Sequence, residues 1–248
     1  MNSKFVAIVQ ARTGSTRLPG KTLRLLAGLP MIEHIIGRLR QVTRIDQIVL
    51  AVPDLPSEAP LLDVARRLDI KTCKGPEEDV LKRFILAGEA AEAEQVLRVC
   101  GDSPLIDPNL IDALLESHCQ NQADYTMSSG LAPLGTSAEA VRLAALKQIA
   151  ETAVEKPYRE HVTAYIHDHP NQFKVCSVAV PKYLLGKSFR LTVDTEADFL
   201  LMERIYREFF TPSCPIVDLE RVIPYLETHP EIARLNADVK QKDWRLEK

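Results

Sequence analysis

The sequence predicts an α/β fold, a three-layer αβα arrangement with a mostly parallel, mixed central sheet. Short apolar runs typical of buried strands alternate with amphipathic helical patterns over the first half of the chain. The chain has 248 residues, of which 46% are hydrophobic, and this is enough apolar material for a substantial core. Alternating strands and helices are joined by right-handed crossovers, which build a parallel sheet covered on both faces.

The predicted elements of the first half follow a regular order. An apolar strand at 5–9 precedes a loop at 11–21 and a helix at 31–42, in which Ile32, Ile35 and Leu39 share one face. The elements that follow are a strand at 47–52, a helix at 58–68, a strand at 70–73, a helix at 79–93 and a strand at 95–100. This half is typical of a nucleotide-binding α/β layer.

The pattern of the second half is looser. A helix at 108–118, a strand at 125–127 and a loop of small residues at 128–137 come first. Further predicted elements are helices at 138–154 and 159–167, strands at 174–180 and 189–193, a long helix at 195–209 and short helices to the end. Because there is no repeat or flexible linker, we expect a single domain over 1–248, in which 128–188 forms an acceptor-binding or dimerisation arm.

Composition excludes several classes of function. A formal net charge of −3 provides no overall field for binding nucleic acid. No run approaches the roughly 20 apolar residues that span a bilayer, and Met1–Phe5 shows no basic and apolar leader. The cysteines form no CxxC pair, so no zinc motif is indicated. We therefore expect a cytoplasmic protein without a nucleic-acid or membrane partner.

The loop after the first strand is rich in glycine, hydroxyl and cationic residues. It runs Ala11-Arg-Thr-Gly-Ser-Thr-Arg-Leu-Pro-Gly-Lys21. Glycines let backbone N–H groups approach phosphate oxygens, and Arg12, Arg17 and Lys21 supply counter-charge for a triphosphate. The spacing matches neither the dinucleotide fingerprint nor the P-loop of ATPases. From composition alone, a solvated surface loop is the competing interpretation.

Two acidic residues follow predicted strands. Asp102 lies just past the strand at 95–100, in the string Val-Cys-Gly-Asp-Ser-Pro, at the edge where open α/β sheets bind ligands. Asp194 ends the β-rich run Arg-Leu-Thr-Val-Asp-Thr before a helix. Carboxylates are natural ligands of Mg²⁺, so Asp102 is a metal candidate. For Asp194, a metal ligand and a helix N-cap are both open from the sequence.

In their residue order these strings resemble the cytidylyltransferases that make CMP-activated acidic sugars, most closely the SpsF-like branch. The resemblance covers nearly the whole chain and implies a Rossmann-like nucleotidyltransferase fold, Mg²⁺ as cofactor and frequent pairing as homodimers. It implies that CMP is transferred from CTP to an acidic small-molecule acceptor such as a 2-keto sugar acid, with release of pyrophosphate, for surface polysaccharide or glycan biosynthesis. The family's usual Val-Asp-Thr-Pro-Glu-Asp is Val-Asp-Thr-Glu-Ala-Asp here, which leaves the part of Asp198 open.

The resemblance also implies roles for individual residues. Asp102 and Asp194 match the family's two metal ligands, and Arg12 and Lys21 are the catalytic candidates that stabilise the reacting phosphorus and the departing pyrophosphate. The nucleotide-binding candidates are Ala11, Arg12, Gly14, Ser15, Arg17, Lys21, Lys74 and Asp79. The acceptor-binding candidates are Glu139, Arg159 and His161, while Ser137 stands where the family often has aspartate.

Alternative functions make distinguishable predictions. A nucleotidyltransferase could act on a sugar 1-phosphate or a phosphonate, which differs only in the acceptor that releases pyrophosphate. A metal-dependent glycosyltransferase that uses a sugar nucleotide predicts an Asp-x-Asp pair, and Asp102-Ser-Pro lacks it. A catalytically silent oligomerisation module predicts loss of the cationic loop or of an acid, and all are present.

Overall fold

The structure is a computed structural model that describes residues 4–242. Its strands are β1 (Phe5–Gln10), β2 (Leu25–Leu26), β3 (Leu29–Pro30), β4 (Gln47–Pro53), β5 (Lys71–Gly75), β6 (Gln95–Cys100), β7 (Tyr125–Ser129), β8 (Glu139–Arg142) and β9 (Val175–Ala179). Its α-helices are α1 (Met31–Leu39), α2 (Ala59–Arg67), α3 (Val80–Ala90), α4 (Pro108–Gln120), α5 (Leu143–Thr152), α6 (Lys156–Glu160), α7 (Ala164–Asp168), α8 (Glu196–Phe209), α9 (Leu219–Thr228) and α10 (Pro230–Ala233).

The central sheet has seven strands in the order β5-β4-β1-β6-β8-β7-β9. β1 pairs in parallel with β4 and β6, β4 with β5, and β7 with β9. Only β8 runs the other way among these strands, antiparallel to both β6 and β7. The prediction of a mostly parallel, mixed α/β sheet is therefore confirmed.

The core lies on both faces of the sheet. Along β1, Ala7 and Val9 face a cluster that includes α1, α2 and α4, whereas Val6 and Ile8 face a cluster that includes α3 and α5. This alternation buries the strand on both sides, as a central parallel strand requires. A third cluster joins α8 and α9 to Leu18 of the loop after β1. That loop is thereby packed against the C-terminal helices, which follow Asp194 in the chain.

Several predicted elements need correction. The predicted helix at 138–154 begins only at Leu143, because the preceding four residues form β8 against β6. The predicted helix at 159–167 is divided into α6 and α7 by a turn. The segment at 189–193 is not a strand; it makes an isolated bridge from Arg190 to Leu134. The first predicted helix ends at Leu39, not at 42.

The carboxyl ends of β1, β4 and β6 lie at one edge of the sheet because these strands are parallel. Gly101 follows β6 there, and its N–H donates to the Gln10 carbonyl at 2.8 Å. A Cβ at Gly101 would lie 2.7 Å from that same oxygen, so the close approach of the two loops requires glycine. In the part of the chain that the structure describes, no helix has the length and apolarity to cross a bilayer.

Candidate active site

The loop after β1 is anchored by a buried carboxylate. The backbone N–H and the hydroxyl of Thr13 both donate to Glu58, each at 2.9 Å, and Glu58 is 1% exposed. The loop closes on itself where the Gly20 N–H donates to the Thr13 carbonyl at 2.9 Å, with Gly20 in the left-handed region at φ 67°. These contacts fix the conformation of the loop. They do not involve the side chains of Arg12 and Arg17.

Asp102 and Asp194 meet at one ammonium group. Lys21 Nζ donates to Asp102 Oδ2 at 3.1 Å, to Asp194 Oδ1 at 2.9 Å and to the Val193 carbonyl at 2.7 Å. Burial lowers the pKa of Lys21, but the two carboxylates raise it by more, so the pKa lies above its ordinary value. The ammonium is therefore charged, and it occupies the position between the two acids.

The backbone holds the two acids together as well. The Val193 N–H donates to the Asp102 carbonyl at 2.8 Å, and the Thr192 hydroxyl donates to the same oxygen at 3.1 Å. Upstream, the Leu191 N–H donates to the Leu134 carbonyl at 2.7 Å. The segment before Asp194 is thus fixed by hydrogen bonds to its neighbours although it is not a regular strand.

Asp194 divides its two oxygens between different cations. Oδ1 contacts Lys21 and, at 2.9 Å, Arg17 Nη2, while Oδ2 accepts from Arg190 Nη2 at 2.6 Å. Burial raises the pKa of Asp194, but these cations, Lys21 first, lower it by more. The carboxylate is ionised, and only Oδ1 points to the cations of the loop.

Asp198, whose part the sequence left open, caps a helix. Its Oδ2 accepts from the backbone N–H groups of Asp194 and Thr195 at 2.9 Å each, and Thr195 caps α8 in return. Its Oδ1 accepts from Arg190 Nε at 2.9 Å and from Asn236 Nδ2 at 2.8 Å. With 0% exposure and both oxygens bonded, Asp198 has no oxygen directed to the cavity.

A cavity of about 340 Å³ opens beside these groups. Lining residues include, among the predicted nucleotide-binding set, Ala11, Arg12, Ser15, Arg17 and Lys21, together with Asp102 and Asp194. Arg12 makes no ion pair with any residue between 4 and 242, so its guanidinium is available to an anion. The cationic loop and the two acids are therefore on one rim, as the sequence predicts.

Other predicted nucleotide-binding residues lie outside this lining. Lys74 pairs with Asp54 at 3.3 Å, and Asp79 caps α3 by accepting from the Lys82 N–H at 2.8 Å. Gly14 is exposed at the tip of the loop. A nucleotide contact for these three residues stays a prediction.

Four further lining residues, Gln10, Arg83, Arg98 and Gln241, are not among the site candidates predicted from the sequence. Arg83 lines the cavity and donates to the Pro76 and Glu77 carbonyls, which holds the loop before α3. Arg98 and Gln241 line it too. The sequence held a signal for Arg98, because a charged residue inside the apolar run of a central strand requires a buried partner.

A second cavity of about 400 Å³ shares Asp102, Asp194, Arg98 and Gln241 with the first. Its further lining includes Ser103, Ser128, Gly135, Ser137, Glu139 and Thr192. The Arg98 guanidinium is the one cationic group in this lining within the described residues. The cavity is thus polar, rich in hydroxyl groups and adjacent to both acids.

Glu139 lines the second cavity and belongs to a network of polar side chains. It accepts from Arg98 Nη1 at 2.5 Å, from the Thr163 hydroxyl at 2.9 Å and from the Tyr125 hydroxyl. Burial raises the pKa of Glu139, but Arg98 and the hydrogen bonds from His167 and Tyr125 lower it by more, to well below its usual range. The carboxylate is ionised and already paired, so it contributes mainly by fixing Arg98.

The other acceptor candidates lie apart from the second cavity. Arg159 donates to the Ala150 carbonyl at 2.7 Å and lies 3.6 Å from Asp79, and it lines neither cavity. His161 lines the first cavity together with residues of the loop after β1. An acceptor role for these residues therefore stays a prediction.

The donor set fits Mg²⁺. Within residues 4–242 no three His, Cys, Asp or Glu side chains form a metal-binding cluster. Two convergent carboxylates without a third protein ligand suit a cation that keeps several waters and binds substrate phosphates. Asp102, with 28% of its side chain exposed, faces the open space, and Lys21 shows that a cation is stable between the two acids.

Comparisons with known proteins find similar sequences over nearly the whole chain. The sequence model of a family described as cytidylyltransferase matches residues 6–239. The spore coat polysaccharide biosynthesis protein SpsF of Bacillus subtilis is 34% identical over 231 residues, which cover 91% of this chain and 95% of SpsF.

Solved structures match over most of the chain. A cytidylyltransferase from Leptospira borgpetersenii superposes with a TM-score of 0.87 at 21% identity, over 97% of this chain and 100% of that one. A CMP:2-keto-3-deoxy-manno-octonic acid synthetase complexed with CTP superposes with a TM-score of 0.63 at 19% identity, over 83% of this chain and 99% of that one. At these identities the two matches establish the fold alone.

Proposed function

The chain belongs to the cytidylyltransferase family, and on that premise we propose that it transfers CMP from CTP to an acidic sugar in a Mg²⁺-dependent reaction that releases pyrophosphate. The observation that carries the proposal is the meeting of Asp102 and Asp194 at Lys21, on the same rim as Arg12 and Arg17. A triphosphate of about −4 charge needs cations on one side and a metal-holding pair on the other.

In this proposal the loop after β1 binds the triphosphate. Arg12 and Arg17 contact the β- and γ-phosphates, and the Ser15 hydroxyl adds a neutral donor. Lys21 stabilises the charge that develops on the α-phosphoryl group and on the departing pyrophosphate. Asp102 and Asp194 hold Mg²⁺, which supplies charge neutralisation at the phosphate oxygens when bound.

Direct displacement fits the side chains of the cavity. Cys100 lines it, but burial raises the pKa of this thiol to about 11, so it stays protonated at neutral pH and is a poor nucleophile. We therefore assign the attack on the α-phosphorus to the acceptor hydroxyl itself. Catalysis then depends on positioning and charge neutralisation.

The second cavity supports an acidic, polyhydroxylated acceptor. Ser103, Ser128 and Ser137 supply hydroxyl groups, and Arg98 supplies one guanidinium. Arg98 is already paired with Glu139, and two further carboxylates line the cavity, so the lining has no surplus positive charge for a phosphate or phosphonate dianion. This favours an acceptor that carries a single negative charge. Two similar proteins, a spore coat polysaccharide biosynthesis protein and a keto sugar acid synthetase complexed with CTP, support the same acceptor and donor classes.

A pyrophosphate-release assay tests the proposal. The four nucleoside triphosphates are each combined with Mg²⁺ and with 3-deoxy-manno-octulosonate, N-acetylneuraminate, a sugar 1-phosphate or a phosphonate. We expect release with CTP and a keto acid, its loss with EDTA, and its loss in Asp102→Asn but not in the surface control Asp63→Asn. Release only with the sugar 1-phosphate or the phosphonate would replace the acidic-sugar proposal by the alternative acceptor class.

We also propose that the chain is a homodimeric cytoplasmic enzyme and that residues 128–188 form the dimerisation or acceptor-binding arm of a single domain. Exposed apolar side chains in that range support the contact, namely Leu131, Leu134, Val154, Val175 and Leu185. Light scattering after size-exclusion chromatography measures the state directly. A monomer at micromolar concentration would contradict this part of the proposal.

A further inference from the structure

Arg190 contacts two aspartates, Asp194 just before α8 and Asp198 in its first turn. Its Nη2 donates to Asp194 Oδ2 at 2.6 Å, and its Nε donates to Asp198 Oδ1 at 2.9 Å. We infer that Arg190 is a positioning residue that fixes the Asp194 carboxylate so that Oδ1 faces the metal position. The inference rests on the proposed function, in which Asp194 is a metal ligand.

The guanidinium is itself held on several sides. Asp198 is completely buried, and its position is set by the capping box of α8. Asn236 Nδ2 donates both to Asp198 Oδ1 at 2.8 Å and to the Arg190 carbonyl at 2.9 Å. Gln241 accepts a further hydrogen bond from Arg190 Nη1. The segment that carries Asn236 and Gln241 therefore helps to orient Arg190.

This arrangement uses the planar fork of arginine. One guanidinium reaches two carboxylates through different nitrogens, which a lysine ammonium cannot do with the same directions. Only 10% of the Arg190 side chain and 12% of the Asp194 side chain are exposed, so few waters can replace the lost contact. Without Arg190 Nη2, Asp194 Oδ2 has no donor in the described chain, and the carboxylate is free to rotate its two oxygens away from the cation position.

The test variant keeps the charge and removes the fork. Arg190→Lys still neutralises buried Asp198 but cannot hold Asp194 Oδ2 as well. Partners that orient a metal ligand typically contribute about 10- to 100-fold to metal affinity. We expect Arg190→Lys to weaken Mn²⁺ binding, measured by electron paramagnetic resonance in the presence of CTP, by about tenfold, with a comparable fall in kcat and a KM for CTP within about twofold.

Arg24→Lys is the matched control. Arg24 forms a fork to Glu196 at the same end of α8 but contacts neither acid of the site. The Arg24→Lys variant should bind Mn²⁺ with the same affinity as the unmodified protein. The Tm of each variant is measured in parallel, because a purely structural role for Arg190 would lower Tm without changing the Mn²⁺ affinity of the folded protein.

If Arg190→Lys does not fold, a double variant, Arg190→Gln with Asp198→Asn, tests the inference instead. It removes both charges, so no unpaired charge is left buried. Unchanged Mn²⁺ affinity in the folded variant would overturn the inference, and weakened affinity at an unchanged Tm would support it. The proposed function has a separate criterion: an unmodified protein that neither binds Mn²⁺ nor releases pyrophosphate would refute that proposal, whatever the variants do.

Discussion

Replacing Lys21 by methionine should tighten metal binding while it abolishes turnover. The ammonium lies between Asp102 and Asp194, in the position that a divalent cation needs. A metal entering the site must displace it from both carboxylates. Methionine is similar in length but carries no charge, so Lys21→Met leaves the two acids without this competitor.

The size of the effect follows from the contacts that are broken. A hydrogen bond to a charged group contributes about 1.5–3 kcal/mol, and Lys21 makes two such bonds to the acids. Asp102 is partly exposed and Arg17 still contacts Asp194, so we discount the sum to about 1.5–3 kcal/mol. Because about 1.4 kcal/mol is a factor of ten, Mn²⁺ should bind the variant at least about tenfold more tightly.

The assay is Mn²⁺ titration without nucleotide, followed by electron paramagnetic resonance, together with thermal unfolding with and without metal. The variant should lose stability without metal, because two acids have lost a partner, and should show a larger rise in Tm on adding Mn²⁺. Lys147→Met, which removes a surface lysine paired with Glu89, is the control and should change neither quantity. Equal or weaker Mn²⁺ binding by Lys21→Met would refute the idea that lysine and metal compete for one position.

Three further predictions concern stability and the loop after β1. Gly135→Ala should destabilise the fold by at least about 2 kcal/mol, since φ is +92° and the new Cβ would lie 2.6 Å from the Leu191 carbonyl oxygen; urea unfolding measures this. Burial lowers the pKa of His118 from 6.5 to about 4, so between pH 4 and 6.5 the unfolded chain binds a proton that the folded chain does not. The free energy of unfolding should therefore rise by up to about 3 kcal/mol from pH 4 to 6.5 and then level off. In the His118→Gln variant this rise should be absent. Glu58→Gln should raise the KM for CTP by about tenfold with little change in kcat, because Thr13 loses a charged acceptor and the loop loosens.

Each of these predictions has a contrary outcome. Gly14→Ala is the control for the glycine, since a Cβ there meets nothing within 4 Å, and equal stability of both alanine variants would contradict the steric argument. A pH profile that is the same in the His118 variant would mean that other groups cause the slope. A lower kcat at unchanged KM in the Glu58 variant would show that the loop acts in the chemical step rather than in binding CTP.

The convergence of the loop after β1 with Asp102 could be predicted because it depends on a general rule. Carboxyl ends of parallel strands share one edge, and the loops after β1 and β6 follow such ends. Asp194 does not follow a strand, yet the Val193 N–H to the Asp102 carbonyl brings it to the same place. Here the family resemblance, rather than periodicity, indicated the correct position.

The acceptor side could not be predicted as well, for a physical reason. β8 has only four residues, and its sequence continues without a break into the helical pattern of α5. Its strand conformation comes from pairing with β6, which places Glu139 opposite Arg98. Because this pairing is a tertiary effect, neither the partner of Arg98 nor the displacement of Arg159 from the cavity is visible in local sequence.

Because β8 runs antiparallel to its neighbours, the two cavities are lined by loops from different parts of the chain. The amino end of β8 lies at the sheet edge that carries the site, so the segment before it places Leu134, Gly135 and Ser137 in the lining of the second cavity. The cationic loop after β1 lines the first cavity. Under the proposed function, a chimera that receives only residues 130–138 of a relative inherits a new acceptor range and retains its own nucleotide preference. Divergence of substrate among such enzymes can then begin with one exchanged stretch, which ends where the pairing of β8 with β6 begins.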